Sequence, residues 1–315
     1  MRDPRYVEPG SLVEITMTCI QNRFLLRPSE ELNSLFVGVL AKAQEIFDLN
    51  VVGVSVLSTH YHLLVIPEDQ KQLSDFMCYV NCNLPKEVGR LHNWPGTMWE
   101  SRYHSIPVDD DEAIQVARLE YLLAQGVKEG LVERPEEWPG VHCAQALSEG
   151  LPLVGTWYDR SRFYTHRDVL QEDVCLDDFA EEVRLLFSPL PCWAHDSPER
   201  YRQEVRQLIE KIVRQAAEER QGEGRQVLGA QAILSRDPHD RPTSVHKTPK
   251  PRFHASSVEA YRRLYKAFSV IFVMYRIASE QLRSGDVNAE FPEGTFPCSL
   301  PFVPIVGRRL PRGDP

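Results

Sequence analysis

The chain lacks what would place it outside a reducing compartment. Its seven cysteines are an odd number and form no C-x-x-C pair, which argues against a disulfide framework and against a zinc module. Cys78 and Cys82 stand one helical turn apart, but with no second pair they read as small buried side chains. Long hydrophobic runs are missing too. The most apolar stretch, Ala267 to Tyr275, is about a third to a half of a membrane span. The start, Met1-Arg2-Asp3-Pro4-Arg5, leads into no apolar core of a signal peptide, and no internal repeat occurs. Positive charge is in deficit: 36 Lys and Arg against 45 Asp and Glu give a net charge of −9, the wrong sign for tracking phosphates. A cytoplasmic protein without membrane contact is expected, and 315 residues suffice for two domains with sizeable cores.

What is present begins with Thr59-His60-Tyr61-His62-Leu63-Leu64-Val65. In a strand, side chains two apart share a face. His60 and His62 therefore project together, while Tyr61, Leu63 and Val65 turn into a core. Two neutral imidazoles side by side on a strand make half of a divalent-metal site. The plain alternative is an accidental surface pair, which a lone H-x-H does not exclude.

Downstream, Tyr121 and Gln125 are four apart in Ala117-Arg118-Leu119-Glu120-Tyr121-Leu122-Leu123-Ala124-Gln125, hence on one face of a helix. A tyrosine hydroxyl can act as a covalent nucleophile, and a glutamine oxygen can complete a shell begun by two histidines. Alone, the pair reads more simply as a half-buried phenol and a solvated amide.

Taken with their flanks, these residues resemble the REP-associated tyrosine transposases, within the wider group of single-tyrosine HUH transposases. Three blocks carry the resemblance: Leu57 to Val65, then Met98-Trp99-Glu100-Ser101-Arg102-Tyr103, then Glu120 to Val132 running into Arg134-Pro135-Glu136-Glu137-Trp138-Pro139. They lie in order over residues 10–142, a little under half of the chain. The chain has Ser58-Thr59 where the family often has Pro-Asn, and Gln125-Gly126 where it often has Asn-Pro. The second departure keeps an amide side chain. The resemblance implies a bacterial protein, associated with the nucleoid when bound to DNA. It also implies Tyr121 as nucleophile, His60, His62 and Gln125 holding Mg²⁺ or Mn²⁺, and single-stranded or hairpin DNA as substrate. Cleavage would leave a 5′-phosphotyrosine and a free 3′-OH.

Periodicity supports an α+β arrangement. The order β-α-β-β-α-β-α predicts a ferredoxin-like antiparallel sheet with helices on one face and the Tyr121 helix laid across the histidines. Val13, Ile15, Met17 and Cys19 predict a half-exposed first strand, Leu32 to Phe47 an amphipathic helix closed by Asn50, and Val51–Leu57 with His60–Ile66 a hairpin about Ser58-Thr59. A second helix begins near Leu73 and is disturbed at Pro85; Trp99–Val108 reads as the fourth strand, and the Tyr121 helix starts near Asp111. The division expected is 1–146 for the transposase-like domain, 147–195 for an irregular connection, and 196–315 for a helical accessory region with a polar, proline-broken linker at 235–254. Helices are expected over about 198–221 and 256–283. That region would serve DNA contacts or self-association as a homodimer. Glu100, Glu120 and His104 could assist at the site, though each reads more simply as a surface or capping group.

Residues 241–276 hold eight basic side chains against Glu259 alone, a local excess of seven positive charges. Lys247, Lys250, Arg252, Arg262 and Arg263 are the candidate DNA contacts there; a solvated linker is the alternative. Other function classes also remain: a DNA-binding protein of the same fold without cleavage, a metal-dependent hydrolase unrelated to DNA, and a purely structural sandwich. If the basic segment grips phosphates, replacing Lys247, Lys250 and Arg252 by neutral residues flattens the log–log salt dependence of single-strand binding by roughly 0.7 per lost contact. An unchanged slope in an anisotropy titration would mark a plain linker.

Overall fold

Val13, Ile15 and Met17 alternate along strand β1 (Val13–Thr18), and the chain then turns into helix α1 (Glu30–Phe47), capped by the Ser29 hydroxyl accepting from Leu32 N. The computed structural model describes residues 6–243 and 251–298, so Lys247 and Lys250 lie outside the described residues. Helix α1 closes two residues earlier than Asn50: Asp48 takes the left-handed conformation that ends it, and Asn50 already opens β2 (Asn50–Leu57). Ser58-Thr59 turns the chain into β3 (His60–Ile66), followed by α2 (Gln70–Leu91), β4 (His104–Pro107) and α3 (Glu112–Leu123). Trp99 joins the sheet only through a single bridge to Cys19, so the fourth strand is shorter than its apolar pattern predicts.

The four strands pair antiparallel in the order β2-β3-β1-β4, the ferredoxin-like order. Two helices cover one face: Tyr61 meets Phe36 of α1 edge-on at 5.4 Å, and its hydroxyl donates to Asn81 Oδ1 of α2 at 2.9 Å. Helix α3 lies across the opposite face, where Glu14, Thr16, His60 and His62 project. Strand β1 is accordingly buried on both faces rather than half-exposed. Pro85 does not break α2. It lacks the N–H that would bond Asn81 O, and the Trp99 indole N–H donates to that carbonyl instead at 3.1 Å.

The segment read as irregular, 147–195, is instead built around a two-stranded hairpin. After α4 (Ala144–Glu149) come β5 (Leu153–Tyr158), the short α5 (Arg160–Tyr164) and β6 (Ala180–Leu185), with β5 and β6 antiparallel. Strand β5 lies on the back of α1, and two glycines make that contact possible. A Cβ on Gly38 would stand 2.0 Å from Thr156 O, and one on Gly155 2.5 Å from Ser34 O. The irregular look of this stretch came from Gly155 and from polar residues that face solvent, which hide the period of a strand. The outer edge of β2 is closed by backbone bonds from Val56 N to Val141 O, Cys143 N to Val54 O and Ser188 N to Val51 O.

Helix α6 (Pro198–Glu223) packs Val205, Ile209 and Ile212 into the same core and lies against α4 and α3. After α7 (Ala230–Leu234), the end of the expected linker does not run free. His254 pairs with Val108 beside β4, with His254 N to Pro107 O at 3.0 Å and Asp109 N to His254 O at 2.9 Å. Helix α8 (Val258–Arg283) follows, tied back by Phe268 against Phe253 and Tyr6. Among the described residues no helix is long and apolar enough to cross a membrane.

The glycine contact gives a direct test. Gly38→Ala is expected to lower stability by about 1–3 kcal/mol, because backbone rather than a flexible side chain must move. Gly222→Ala, with nothing within 4 Å of its would-be Cβ, should be neutral or slightly stabilising. Equal urea midpoints for Gly38→Ala and the parent would refute the close packing of hairpin on helix.

Candidate active site

Strand register brings the polar residues together. Thr16 lies opposite His62 and Thr18 opposite His60 across the β1–β3 pair, so a row of polar side chains faces α3. The His60 and His62 rings stand 5.0 Å apart between centroids and nearly perpendicular. In each, Nδ1 faces a protein oxygen: Thr59 Oγ1 at 2.8 Å for His60, Glu14 Oε1 at 3.2 Å and Thr16 Oγ1 at 3.3 Å for His62. His62 is 5 % exposed. Burial pushes its pKa down, and the Glu14 contact only partly opposes this, so the ring is held neutral. Neutral imidazole is the form that binds metals.

Glu14 was absent from the sequence reading and is central in the structure. It is 4 % exposed, with Oε2 2.8 Å from Arg118 Nη2 and 2.7 Å from His254 Nε2. Burial opposes ionisation, but the contacts from His254, His62 and Arg118 outweigh it and hold the carboxyl well below the usual carboxylate range. The sequence signal was ambiguous, since an acidic residue alternating with Val13 and Ile15 looks like the solvent side of a strand. His254 had no local signal, because only the pairing beside β4 carries it into the site.

Tyr121 stands on the last full turn of α3, which Asp111 caps and Leu119, Leu122 and Leu123 anchor in the core. Its ring packs edge-on against His62 at 5.7 Å, is 37 % exposed, and is flanked by two cations: the Arg118 guanidinium at 4.1 Å and Lys128 Nζ at 3.4 Å from the centroid. Arg118 lies one turn before Tyr121 on the same helix face. Lys128 comes from the turn opened by Gly126, whose φ of 86° favours glycine and whose N–H donates to Glu129 Oε2 at 2.6 Å.

Gln125 sits differently from expectation. The helix ends at Leu123, so Gln125 lies beyond it, 1 % exposed, and its Nε2 donates back to Tyr121 O at 3.1 Å. The structure thus brings His60, His62 and Tyr121 ring to ring, and joins Gln125 to them through the Tyr121 backbone. Among the described residues no three His, Cys, Asp or Glu side chains form a metal cluster, so the donors that stand together are the two imidazoles of His60 and His62. That set suits a divalent ion whose remaining positions are filled by water and phosphate oxygens.

Of the other candidates, Glu100 accepts from Gln21 N at 2.7 Å and Glu120 pairs with Lys211 at 2.8 Å, both structural tasks, and His104 is exposed at the end of β4. Arg263 is bonded to the buried Asp109 at 2.7 Å, and Arg252 lies over the Tyr265 and Phe268 rings. Arg262 is exposed.

Against known proteins, no family model and no curated protein matches the chain. Among the solved structures similar to part of it are two transposases. One is a REP-associated tyrosine transposase bound to a REP hairpin, 17 % identical, with 48 % of this chain and 87 % of that chain covered at a TM-score of 0.39. The other is a candidate transposase from Deinococcus radiodurans R1, 16 % identical, with 38 % of this chain and 95 % of that chain covered at a TM-score of 0.28. At these scores the likeness decides nothing about the site, which rests on its own geometry.

His142 supports the helix that carries Tyr121. It bridges to Ser55 of β2, accepts from Ala144 N at 3.1 Å and contacts the Leu122 carbonyl, and burial pulls its pKa down to about 4. The unfolded chain takes up this proton near the ordinary 6.5 while the folded chain does not. Stability is therefore lost as pH falls from about 6.5 to 4, by an amount on the order of 3 kcal/mol. Urea midpoints of His142→Gln should fall less over that range than those of the parent. Parallel declines would show that His142 is not held neutral.

Proposed function

We propose that the chain is a tyrosine-dependent enzyme that nicks and rejoins single-stranded DNA in the manner of a transposase. The observation that carries the reading is the Tyr121 ring, partly exposed, packed against the neutral His62 and flanked by Arg118 and Lys128. The sequence resemblance adds hairpin DNA as the substrate class.

The chemistry follows from charge. A phosphodiester repels nucleophiles, so the site must offset the anion before attack. Lys128, beside the phenol and exposed, can meet a phosphate oxygen, whereas Arg118 is already committed to Glu14. The Tyr121 oxygen would form a bond to phosphorus as its proton leaves, and the bond to the 3′ oxygen would break. The products would be a 5′-phosphotyrosine and a free 3′-OH. Because the phosphotyrosine keeps the energy of the broken bond, attack by a second 3′-OH reverses the step and joins strands without a nucleotide cofactor. Mn²⁺ or Mg²⁺ held by His60 and His62, with Gln125 as a further donor, would polarise a non-bridging oxygen and orient the scissile bond. The rigid strand keeps the two imidazoles side by side, and the closed helix end keeps Tyr121 beside them. Lys247, Lys250, Arg252, Arg262 and Arg263 are proposed to grip the flanking backbone; of these Arg262 is exposed, and Arg263 is exposed but already bonded to Asp109.

The test is incubation of labelled single-stranded hairpin DNA with Mn²⁺ and analysis on a denaturing gel. The parent should yield a covalent protein–DNA adduct. Tyr121→Phe keeps the ring packing and removes only the attacking oxygen, so DNA binding should persist while cleavage falls by ~10³-fold or more. A Tyr121→Phe protein that nicks at nearly the parental rate would assign the chemistry to a water nucleophile and end this reading.

A further inference from the structure

We propose that Glu14 is the positioning residue of His62 within the metal-binding histidine pair, and that Arg118 and His254 hold it in place for that task. The inference rests on the reading of His60 and His62 as ligands and goes beyond it by adding a carboxylate, a guanidinium and a third histidine that no motif marks.

The argument starts from donor and acceptor counts. An ionised carboxylate only accepts hydrogen bonds. With Glu14 Oε1 3.2 Å from His62 Nδ1, the His62 proton belongs on Nδ1, and the lone pair is left on Nε2. A histidine ligand must present a lone pair, and the hydrogen bond at its other nitrogen decides which one it presents. Glu14 therefore selects the ligating nitrogen and fixes the ring plane. The Thr16 hydroxyl at 3.3 Å shares that contact but, able both to donate and to accept, cannot select a tautomer alone.

Arg118 and His254 act on the other oxygen. Arg118 is donor-only, and at 2.8 Å from Oε2 it requires an acceptor there. His254 Nε2 reaches the same oxygen at 2.7 Å. His254 is not placed by its own neighbours in sequence. Its backbone is pinned between Pro107 and Asp109, Phe253 packs on Phe268 of α8, and Asp109 is bonded by Arg263 of the same helix. The region after the ferredoxin-like sheet thus supplies a side chain to the site.

Glu14→Gln separates this role from simple packing. The amide has a single oxygen, and Arg118 claims it. The NH₂ then faces His62, which makes Nδ1 an acceptor and moves the ring proton to Nε2, blocking the ligating nitrogen. The experiment uses the full chain without DNA: Mn²⁺ affinity by titration calorimetry, ring ¹⁵N shifts of His62 for the tautomer, and a melting curve to show folding. Glu14→Gln should bind Mn²⁺ about 10–100-fold more weakly and show the exchanged tautomer. His254→Gln should weaken binding by a smaller factor with the tautomer kept, and Glu14→Asp should recover part of the loss. Parental affinity together with the parental tautomer in a folded Glu14→Gln protein would overturn the proposal while leaving the histidine pair as ligands. Mn²⁺ binding that is absent in the parent, or that survives His60→Ala and His62→Ala, would remove the ligand reading itself and this inference with it.

Discussion

A carboxylate enclosed between a sheet and a helix cannot be left uncompensated, and the arrangement around Glu14 follows from that constraint. Taking an ion out of water costs several kcal/mol, and removing one partner of a buried pair costs roughly 3–5 kcal/mol because the other charge is left uncompensated. Glu14 meets the cost with three groups from three places: His62 on β3, Arg118 on α3 and His254 from the segment before α8. Each must be present for the others to be stable there. The sheet, the helix across it and the returning chain are therefore locked into one relative placement, which is also what a site needs if it is to hold reacting groups without rearranging.

The two faces of the sheet divide the labour. Tyr61, Leu63 and Val65 build the apolar side under α1 and α2, where Phe36 and Asn81 receive the tyrosine. The opposite side is polar, and α3 covers it only in part. That partial cover leaves Tyr121 more than a third exposed while His62 beneath it is almost sealed. A phenol reachable from solvent, backed by a buried and neutral imidazole, is the consequence. Lys128 adds the exposed positive charge that the phenol itself lacks.

The rest of the chain stiffens this centre from outside. The hairpin β5–β6 lies against α1 through Gly38 and Gly155, and α6 braces the tyrosine helix through the Glu120–Lys211 pair and its aliphatic stripe. The exposed ion pair adds little energy in water, so the buried Val205, Ile209 and Ile212 carry the attachment. At the phenol two cations stand over the ring, Arg118 paired with Glu14 and Lys128 near Glu129, so the acidic excess of the chain is not concentrated there.

Local pattern was enough for most of the elements and for the shared face of His60 and His62. Periods of two and of three to four residues reveal β1, α1, the β2–β3 hairpin, α3, α6 and α8, because those periods arise from burying one face of each element. The i, i+2 spacing likewise puts His60 and His62 on one side of a strand. The end of α3 was beyond that logic: a period says that Tyr121 and Gln125 could share a face, but the turn at Gly126 decides that Gln125 folds back onto the helix terminus. The hairpin in 147–195 was hidden because one of its strands packs through a glycine, which carries no apolar signature. Glu14 and His254 were invisible for a deeper reason. Whether an acid on an alternating strand faces water or a buried histidine depends on what is laid over it. That covering comes from α3 and from residue 254, brought there by packing across most of the length of the chain, and no local pattern encodes it.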